Sequence, residues 1–251
     1  MIPIAAINPV AKLGAGVIVS LFLIVTIDWV SASTALVLEL AIIALMGIEP
    51  RQFWLRTLPV WVAAPLTALT ILLYGRYEGD VYFEFLLIRI SDGSIELALA
   101  TFLRVLAIGL PAVVLFISID PTDFADGLAQ RMRLPDRFVL GALAAVRMVG
   151  LFLDDWRSLE LARRARGVAD RGRFRRLAGQ GFAFLVLSIR RGSKLSIAME
   201  ARGFGGDTPR TWARESRWGA AEWFTIVIGT LVGLTATVVA VLTGNWNSIV
   251  G

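Results

Sequence analysis

The 251-residue chain has no cysteine and no histidine. Without cysteine there is neither a disulfide framework nor a thiolate nucleophile, and without histidine the commonest general base and metal ligand is missing. Work of the His- or Cys-based kind is therefore excluded. A Gly-x-x-x-x-Gly-Lys-Ser/Thr phosphate loop is also lacking, because Gly192-Ser193-Lys194 has no upstream glycine at the required spacing and no preceding strand. ATP hydrolysis by that route is excluded too. Gly203-Phe204-Gly205-Gly206 is glycine-rich but follows a helical pattern instead of opening one, so it reads as a cap and turn.

What the chain has in excess is apolar surface. Its hydrophobic fraction of 57% and mean hydropathy of +0.71 exceed those of a soluble domain, where apolar residues run to about 45–50%. The pattern predicts an all-α polytopic membrane protein with about five spans. Leu13 to Ile27 is an uncharged run, and after Asp28 a second run from Val30 to Ile48 is broken only by Glu39, giving a tight hairpin. Leu58 to Tyr74 is a third span, Leu97 to Ile119 a fourth interrupted by Arg104, and Trp223 to Thr243 a fifth with no charge. Trp29, Trp54, Trp61, Trp218, Trp223 and Trp246 fall near the expected span ends, where amphipathic indoles prefer to sit. Lys12 ahead of an apolar run resembles the start of a signal peptide, but a second apolar run follows at once, and a retained first span is expected.

Charge sets the expected orientation. Of the 25 lysines and arginines, only Lys12, Arg51, Arg56, Arg76, Arg89 and Arg104 lie outside residues 120–220. The positive-inside rule places that central stretch in the cytoplasm, with the N-terminus and the Arg51/Arg56 loop on the same side. The acidic loop from Gly75 to Glu96 and the C-terminus are then external. The expected organisation is a four-span region over residues 1–119, a cytoplasmic region over 120–220 and a last span with its tail over 221–251.

The central region is helical in pattern. Pro121-Thr122-Asp123 and Pro135-Asp136 are helix-opening signals. From Asp136 to Gly167 the apolar residues Leu140, Leu143, Val146, Phe152, Trp156, Leu159 and Ala162 recur at helical spacing among arginines, and a second long helix is expected from Arg176 to Arg202. Such half-apolar, half-basic helices lie along a membrane surface or pack on each other beneath it.

Both helices end alike. Leu161-Ala162-Arg163-Arg164-Ala165-Arg166-Gly167 and Ile197-Ala198-Met199-Glu200-Ala201-Arg202-Gly203 share the pattern aliphatic-Ala-x-x-Ala-Arg-Gly, 36 residues apart. An arginine at a helix C-terminus meets the negative end of the dipole, and the following glycine supplies a left-handed cap. One copy would be an ordinary helix ending, with solvent or lipid phosphate as the arginine's partner. Two copies point to a pair of helices that each present an arginine to a partner.

Two further features bear on function. Asp123-x-x-Asp126-Gly127-x-x-Gln130-Arg131 imitates the start of the CDP-alcohol phosphotransferase signature, but Leu140, Ala144 and Met148 stand where the rest of that motif is needed. A divalent metal would lack half its oxygen ligands, and a helix cap with first-turn acids accounts for the two aspartates. Arg104 within the fourth span faces protein, with Glu39 as a candidate partner, or snorkels to the outer interface.

These residues resemble the transmembrane T component, of the EcfT/CbiQ type, of energy-coupling factor (ECF) vitamin and metal ABC transporters. Asn8-Pro9-Val10-Ala11-Lys12-Leu13 is similar to that family's Pro-x-x-Lys-Leu opening, the stretch from Arg104 through Asp120-Pro121-Thr122-Asp123 to Leu134-Pro135 to its middle region, and Ala165-Arg166-Gly167 and Ala201-Arg202-Gly203 to its paired motifs. The resemblance implies a non-catalytic subunit of a bacterial or archaeal cytoplasmic-membrane importer, with crossed coupling helices between spans four and five. It implies two ABC-type ATPase partners, to which Ala165, Arg166, Gly167, Ala201, Arg202 and Gly203 bind, and a small membrane substrate-binding subunit. ATP and magnesium would belong to the ATPases, with no cofactor in this chain and no nucleic-acid partner. The alternatives from other classes are a membrane-bound lipid-modifying enzyme and an anionic-lipid scaffold.

Overall fold

The computed structural model describes residues 7–45, 47, 49–75, 79–85, 88–167, 172–206 and 211–246. These form α1 (Pro9–Val25), α2 (Trp29–Leu45), α3 (Pro50–Tyr74), β1 (Val81–Phe85), β2 (Ile88–Ser91), α4 (Asp92–Ile117), α5 (Pro121–Gln130), α6 (Asp136–Ala165), α7 (Arg173–Ala201) and α8 (Ala220–Leu242). The expected all-α polytopic architecture is found, with a small antiparallel hairpin added between α3 and α4. Helices α3, α4 and α8 are long and apolar enough to cross a membrane, while α1 and α2 are apolar helices of 17 residues. The chain divides into two compact units, Met1–Asp120 with Arg217–Gly251, and Pro121–Ser216.

The first unit is built on α1, α2, α3, α4 and α8. Asn8 caps α1 by accepting from the Val10 N–H at 3.0 Å, and Pro9 follows where a missing N–H does no harm. One face of α1, carrying Ala11, Ala15, Val19 and Leu23, is buried. It meets an α8 face of Gly229, Val232, Gly233, Ala236 and Ala240. Gly229 and Gly233 form a small-x-x-x-small step that lets the helices approach closely. A Cβ at Gly233 would collide with the Phe22 ring, and one at Gly229 would lie 2.9 Å from the Ala15 backbone carbonyl. The core continues through Ala35 of α2 and Ala107 of α4, and a second cluster of Ala64, Leu106 and Leu110 seats α3 on α4.

Several boundaries differ from the sequence pattern. Helix α3 starts at Pro50, eight residues before the expected Leu58, so Trp61 lies well inside the helix instead of at its end. The loop read as merely acidic contains the hairpin, with Glu84 opposite Arg89 and Phe85 opposite Ile88. It leads into α4 through a reciprocal cap, Ser91 N–H to Ser94 Oγ at 2.9 Å and Ser94 N–H to Ser91 Oγ at 3.4 Å.

Lys12 does more than flank the first span. It is 1% exposed, and its Nζ donates to Ser118 O at 3.2 Å and Ser118 Oγ at 3.1 Å, placing a cation on the C-terminal end of α4. Nearby, the Asn8 N–H donates to Glu222 Oε1 at 3.2 Å, Asn8 Nδ2 donates to Arg217 O at 3.0 Å, and Gly219 N–H donates to Glu222 Oε2 at 2.7 Å. The Pro-x-x-Lys-Leu segment thus ties together the points where the chain leaves this unit and returns to it. Arg104 does not pair with Glu39. Arg104 Nε and Nη2 are buried without a hydrogen-bond partner among the described residues, and Asp28, which is 2% exposed, accepts from the Ser31 N–H and Oγ.

In the second unit, α5 packs on α6 through Ala125, Ala129 and Val139 with Leu128, Leu143 and Trp212. The end of α5 holds the returning chain. Gln130 Nε2 donates to Arg214 O and Gln130 Oε1 accepts from the Ser216 N–H, both at 2.8 Å, and Arg131 donates to Ser216 O. Helices α6 and α7 run antiparallel. Phe184 of α7 meets Phe152 and Trp156 of α6 edge-on, with centroids 5.7 and 5.5 Å apart, and Arg191 pairs with Asp155 at 3.0 Å.

Candidate functional site

The two repeated heptapeptides build the same helix end. Arg166 is the C-cap of α6 at φ −88°, ψ 5°, and Arg202 is the C-cap of α7 at φ −92°, ψ 10°. Each is followed by a left-handed glycine, Gly167 at φ +66° and Gly203 at φ +78°. The glycine N–H reaches back to Arg164 O at 3.0 Å in the first copy and to Glu200 O at 2.9 Å in the second. In the second copy Phe204 N–H also donates to Met199 O at 3.0 Å, which completes a Schellman motif. The corresponding residue of the first copy, 168, lies outside the described residues.

Ala165, Arg166, Gly167, Ala201, Arg202 and Gly203 are all exposed. The structure brings them to opposite ends of the antiparallel pair rather than into one cluster. The two motifs are separated by a helix length of about 45 Å, at about 1.5 Å per residue. Their guanidiniums are uncommitted: neither the Arg166 nor the Arg202 side chain has an ion pair or hydrogen bond among the described residues. The neighbouring arginines contrast with them. Arg164 pairs with Glu160 at 2.6 Å, Arg191 with Asp155, and Arg214 with Asp123 at 3.7 Å. An uncommitted guanidinium at the negative end of a helix retains five donors in a planar fork, suited to bidentate capture of a carboxylate.

The surroundings of the two ends differ. Arg202, Gly203 and Phe204 line a depression of about 820 Å³ together with Arg133, Asp136 and Arg137. Arg133 holds a left-handed backbone at φ 53°, in the turn that carries the chain from α5 into α6. Arg133 and Arg137 are additions to the residues that the motif alone suggests. The available signal is their position on either side of Leu134-Pro135, since a proline that starts α6 also fixes where its first basic turn projects. Between α6 and α7 near this end lies an open groove of about 680 Å³, lined by small and soft side chains including Gly141, Ala144, Met148, Gly192, Ser196 and Met199.

The aspartates of the partial phosphotransferase pattern are used otherwise, Asp123 pairing with Arg214. Among the described residues, no group of three or more Asp, Glu, His or Cys is placed to hold a metal ion.

Comparison with known proteins agrees with this architecture. Residues 3–212 match the CbiQ family, described as "Cobalt transport protein". The chain is also similar to proteins named energy-coupling factor transporter transmembrane protein EcfT. It is 26% identical to that of Limosilactobacillus fermentum over 80% of each chain. It is 28% identical to that of Lactobacillus helveticus over 77% of this chain and 75% of the relative. The Bacillus subtilis protein is 24% identical over 70% of each.

Proposed function

This chain belongs to the CbiQ family of transporter membrane proteins, and from that premise we infer that it is the coupling subunit of an ECF-type ABC importer. As a T component in the cytoplasmic membrane it is a non-catalytic membrane subunit. In our reading, Pro121–Ser216 faces the cytoplasm, and each Ala-Arg-Gly end seats in a groove on one of two ABC-type ATPases. A small membrane subunit that captures a vitamin or related micronutrient is the third partner.

The observation that carries this reading is the pair of helix ends closed by a left-handed glycine, each with an exposed arginine that has no ion pair or hydrogen bond among the described residues. The alanine preceding each arginine leaves room for close approach, the glycine ends the helix abruptly, and the guanidinium offers charge-assisted bonds to acidic groups of an ATPase. The exposed apolar surface of the same helices adds support. Phe138, Phe182 and Phe174 are 76%, 70% and 91% exposed, more than an isolated water-soluble helix pair tolerates without a membrane or partner cover.

The mechanism follows from the antiparallel arrangement. ATP and magnesium would be held by the ATPases and would supply the drive for their closure. Because the two motifs sit at opposite ends of the α6/α7 pair, each end is displaced separately, and the angle between the helices changes. Coupling requires that the pair fit the ATP-bound and free ATPases differently.

The test is uptake and mild-detergent copurification with Arg166→Ala combined with Arg202→Ala. We expect loss of ATPase retention and of uptake, with the protein still in the membrane at normal level. Normal uptake by the double variant would refute the assignment. A Mg²⁺-dependent lipid-modifying activity of the chain alone, lost on Asp126→Ala, would favour an enzyme instead.

A further inference from the structure

Glu39 is the carboxyl that the helix bundle leaves unanswered. It lies in the middle of α2, is 6% exposed, and its Oε2 has no hydrogen-bond partner among the described residues. Its side chain lines two cavities of about 130 and 90 Å³, which share Gly16, Pro111 and Leu115 as walls. No other lining residue of either cavity is ionisable.

Lys12 of α1 caps α4 through Ser118, and Glu222 of α8 accepts from Asn8 and Gly219. Arg104 of α4 is buried with Nε and Nη2 unpartnered among the described residues, and it makes no ion pair with Glu39. Asp92 and Glu96 of α4 lie at the start of that helix, and none of these five groups lines the cavities. An ionised carboxylate in hydrocarbon without a cation is strongly disfavoured, so an intramembrane acid of this kind marks a proton or ion site.

The cavity walls add acceptors and no donor. Ser20 commits its hydroxyl proton to Gly16 O at 2.8 Å, which leaves the Ser20 oxygen as an acceptor. Pro111 has no N–H to give the Ala107 carbonyl four residues earlier, and both residues line the larger cavity. Ser20, Glu39 and Ala107, from three helices, thus line a space of roughly four water volumes at about 30 Å³ each. That space is too small for an organic cargo, whose pockets run to about 300 Å³ or more.

We propose that Glu39 and this cavity form an intramembrane site for a small monovalent cation, either a proton on the carboxyl or a sodium ion that replaces it. The site lies in the membrane unit and is independent of the coupling role assigned to Arg166 and Arg202.

The test uses the full chain in liposomes and dicyclohexylcarbodiimide, which attacks protonated carboxyls in apolar surroundings, with peptide mapping by mass spectrometry. Label is expected on Glu39, falling as pH rises and absent from Glu39→Gln. Slowing of the reaction several-fold by sodium but not by choline identifies sodium as an occupant, and indifference to sodium identifies the proton. The infrared band of a protonated carboxyl should be present in the parent and missing from Glu39→Gln, a readout independent of reagent access. Absence of both the label and the band would overturn the proposal. So would labelling that vanishes in the assembled transporter irrespective of salt, which would assign Glu39 to a contact with the partner membrane subunit.

Discussion

The ends of α6 and α7 have one backbone and two environments. Arg166 and Arg202 occupy the same C-cap position, each followed by a left-handed glycine and each without an internal partner among the described residues. Yet Arg202 stands on the wall of a depression shared with Arg133 and Arg137, while the cations next to Arg166, Arg163 and Arg164, are turned toward Gly179 and Glu160 of their own helix pair. A repeated heptapeptide therefore specifies a cap and a projecting guanidinium. What surrounds that guanidinium depends on residues far away in sequence. The two ATPase contacts proposed for this motif therefore need not be equal in strength.

The largest expected effect breaks the symmetry directly. Arg166→Ala removes a cation whose neighbours Arg163 and Arg164 are turned to their own helix pair, and it should weaken ATPase retention by roughly ten- to hundredfold, the scale of losing a charge-assisted hydrogen bond of about 1.5–3 kcal/mol. Arg202→Ala should cost clearly less, because Arg133 and Arg137 remain beside it. Titrating ATPase binding to each purified variant measures the difference, and equal losses would count against the supporting role of Arg133 and Arg137. Adding Arg133→Ala and Arg137→Ala to Arg202→Ala should then bring the second end down to the level of the first.

A smaller effect sharpens the shared half of the comparison. Gly167→Ala and Gly203→Ala meet no atom within 4 Å, so crowding plays no part, and the cost is that of a left-handed L-residue, about 1–2 kcal/mol. Each should weaken ATPase binding by roughly fivefold to thirtyfold if the cap must be preformed, with D-alanine incorporation by semisynthesis restoring it. The smallest effect concerns the brace between the helices. Asp155 and Arg191, at 23% and 39% side-chain exposure, should show a coupling of about 0.2–1 kcal/mol in a double-mutant cycle of thermal unfolding. Their loss should leave both helix ends competent.

The motif geometry was legible because a helix cap is a local matter. Arginine then glycine after a periodic helix predicts the C-cap and left-handed turn seen in both copies. Helix α8 was equally legible, since an uncharged apolar run leaves little choice. The end of helix α3 at Tyr74 was legible but its start was not, because Arg51 and Arg56 interrupt the apolar run even though Pro50 marks a helix start. The hairpin was masked by the charges of its loop, despite the β-branched and aromatic residues in Val81–Phe85 and Ile88–Ser91. Lys12 reads in the sequence only as an N-terminal charge ahead of the first span, because its partner, Ser118, is 106 residues away. Arg133 and Arg137 join Arg202 only through a turn and an antiparallel helix pair, a tertiary arrangement that periodicity does not encode.

The central claim is that the two helix ends move apart or together as the ATPases cycle, and a distance measures it most directly. The chain has no native cysteine to compete for label. Leu161 and Ile197, the first residues of the two heptapeptides, are 65% and 66% exposed. Spin labels on Leu161→Cys and Ile197→Cys in the assembled transporter should report one distance distribution without nucleotide and a shifted one with ATP held unhydrolysed, and the shift should disappear when Arg166 and Arg202 are replaced. An unchanged distribution in a complex that still hydrolyses ATP and transports would contradict the account.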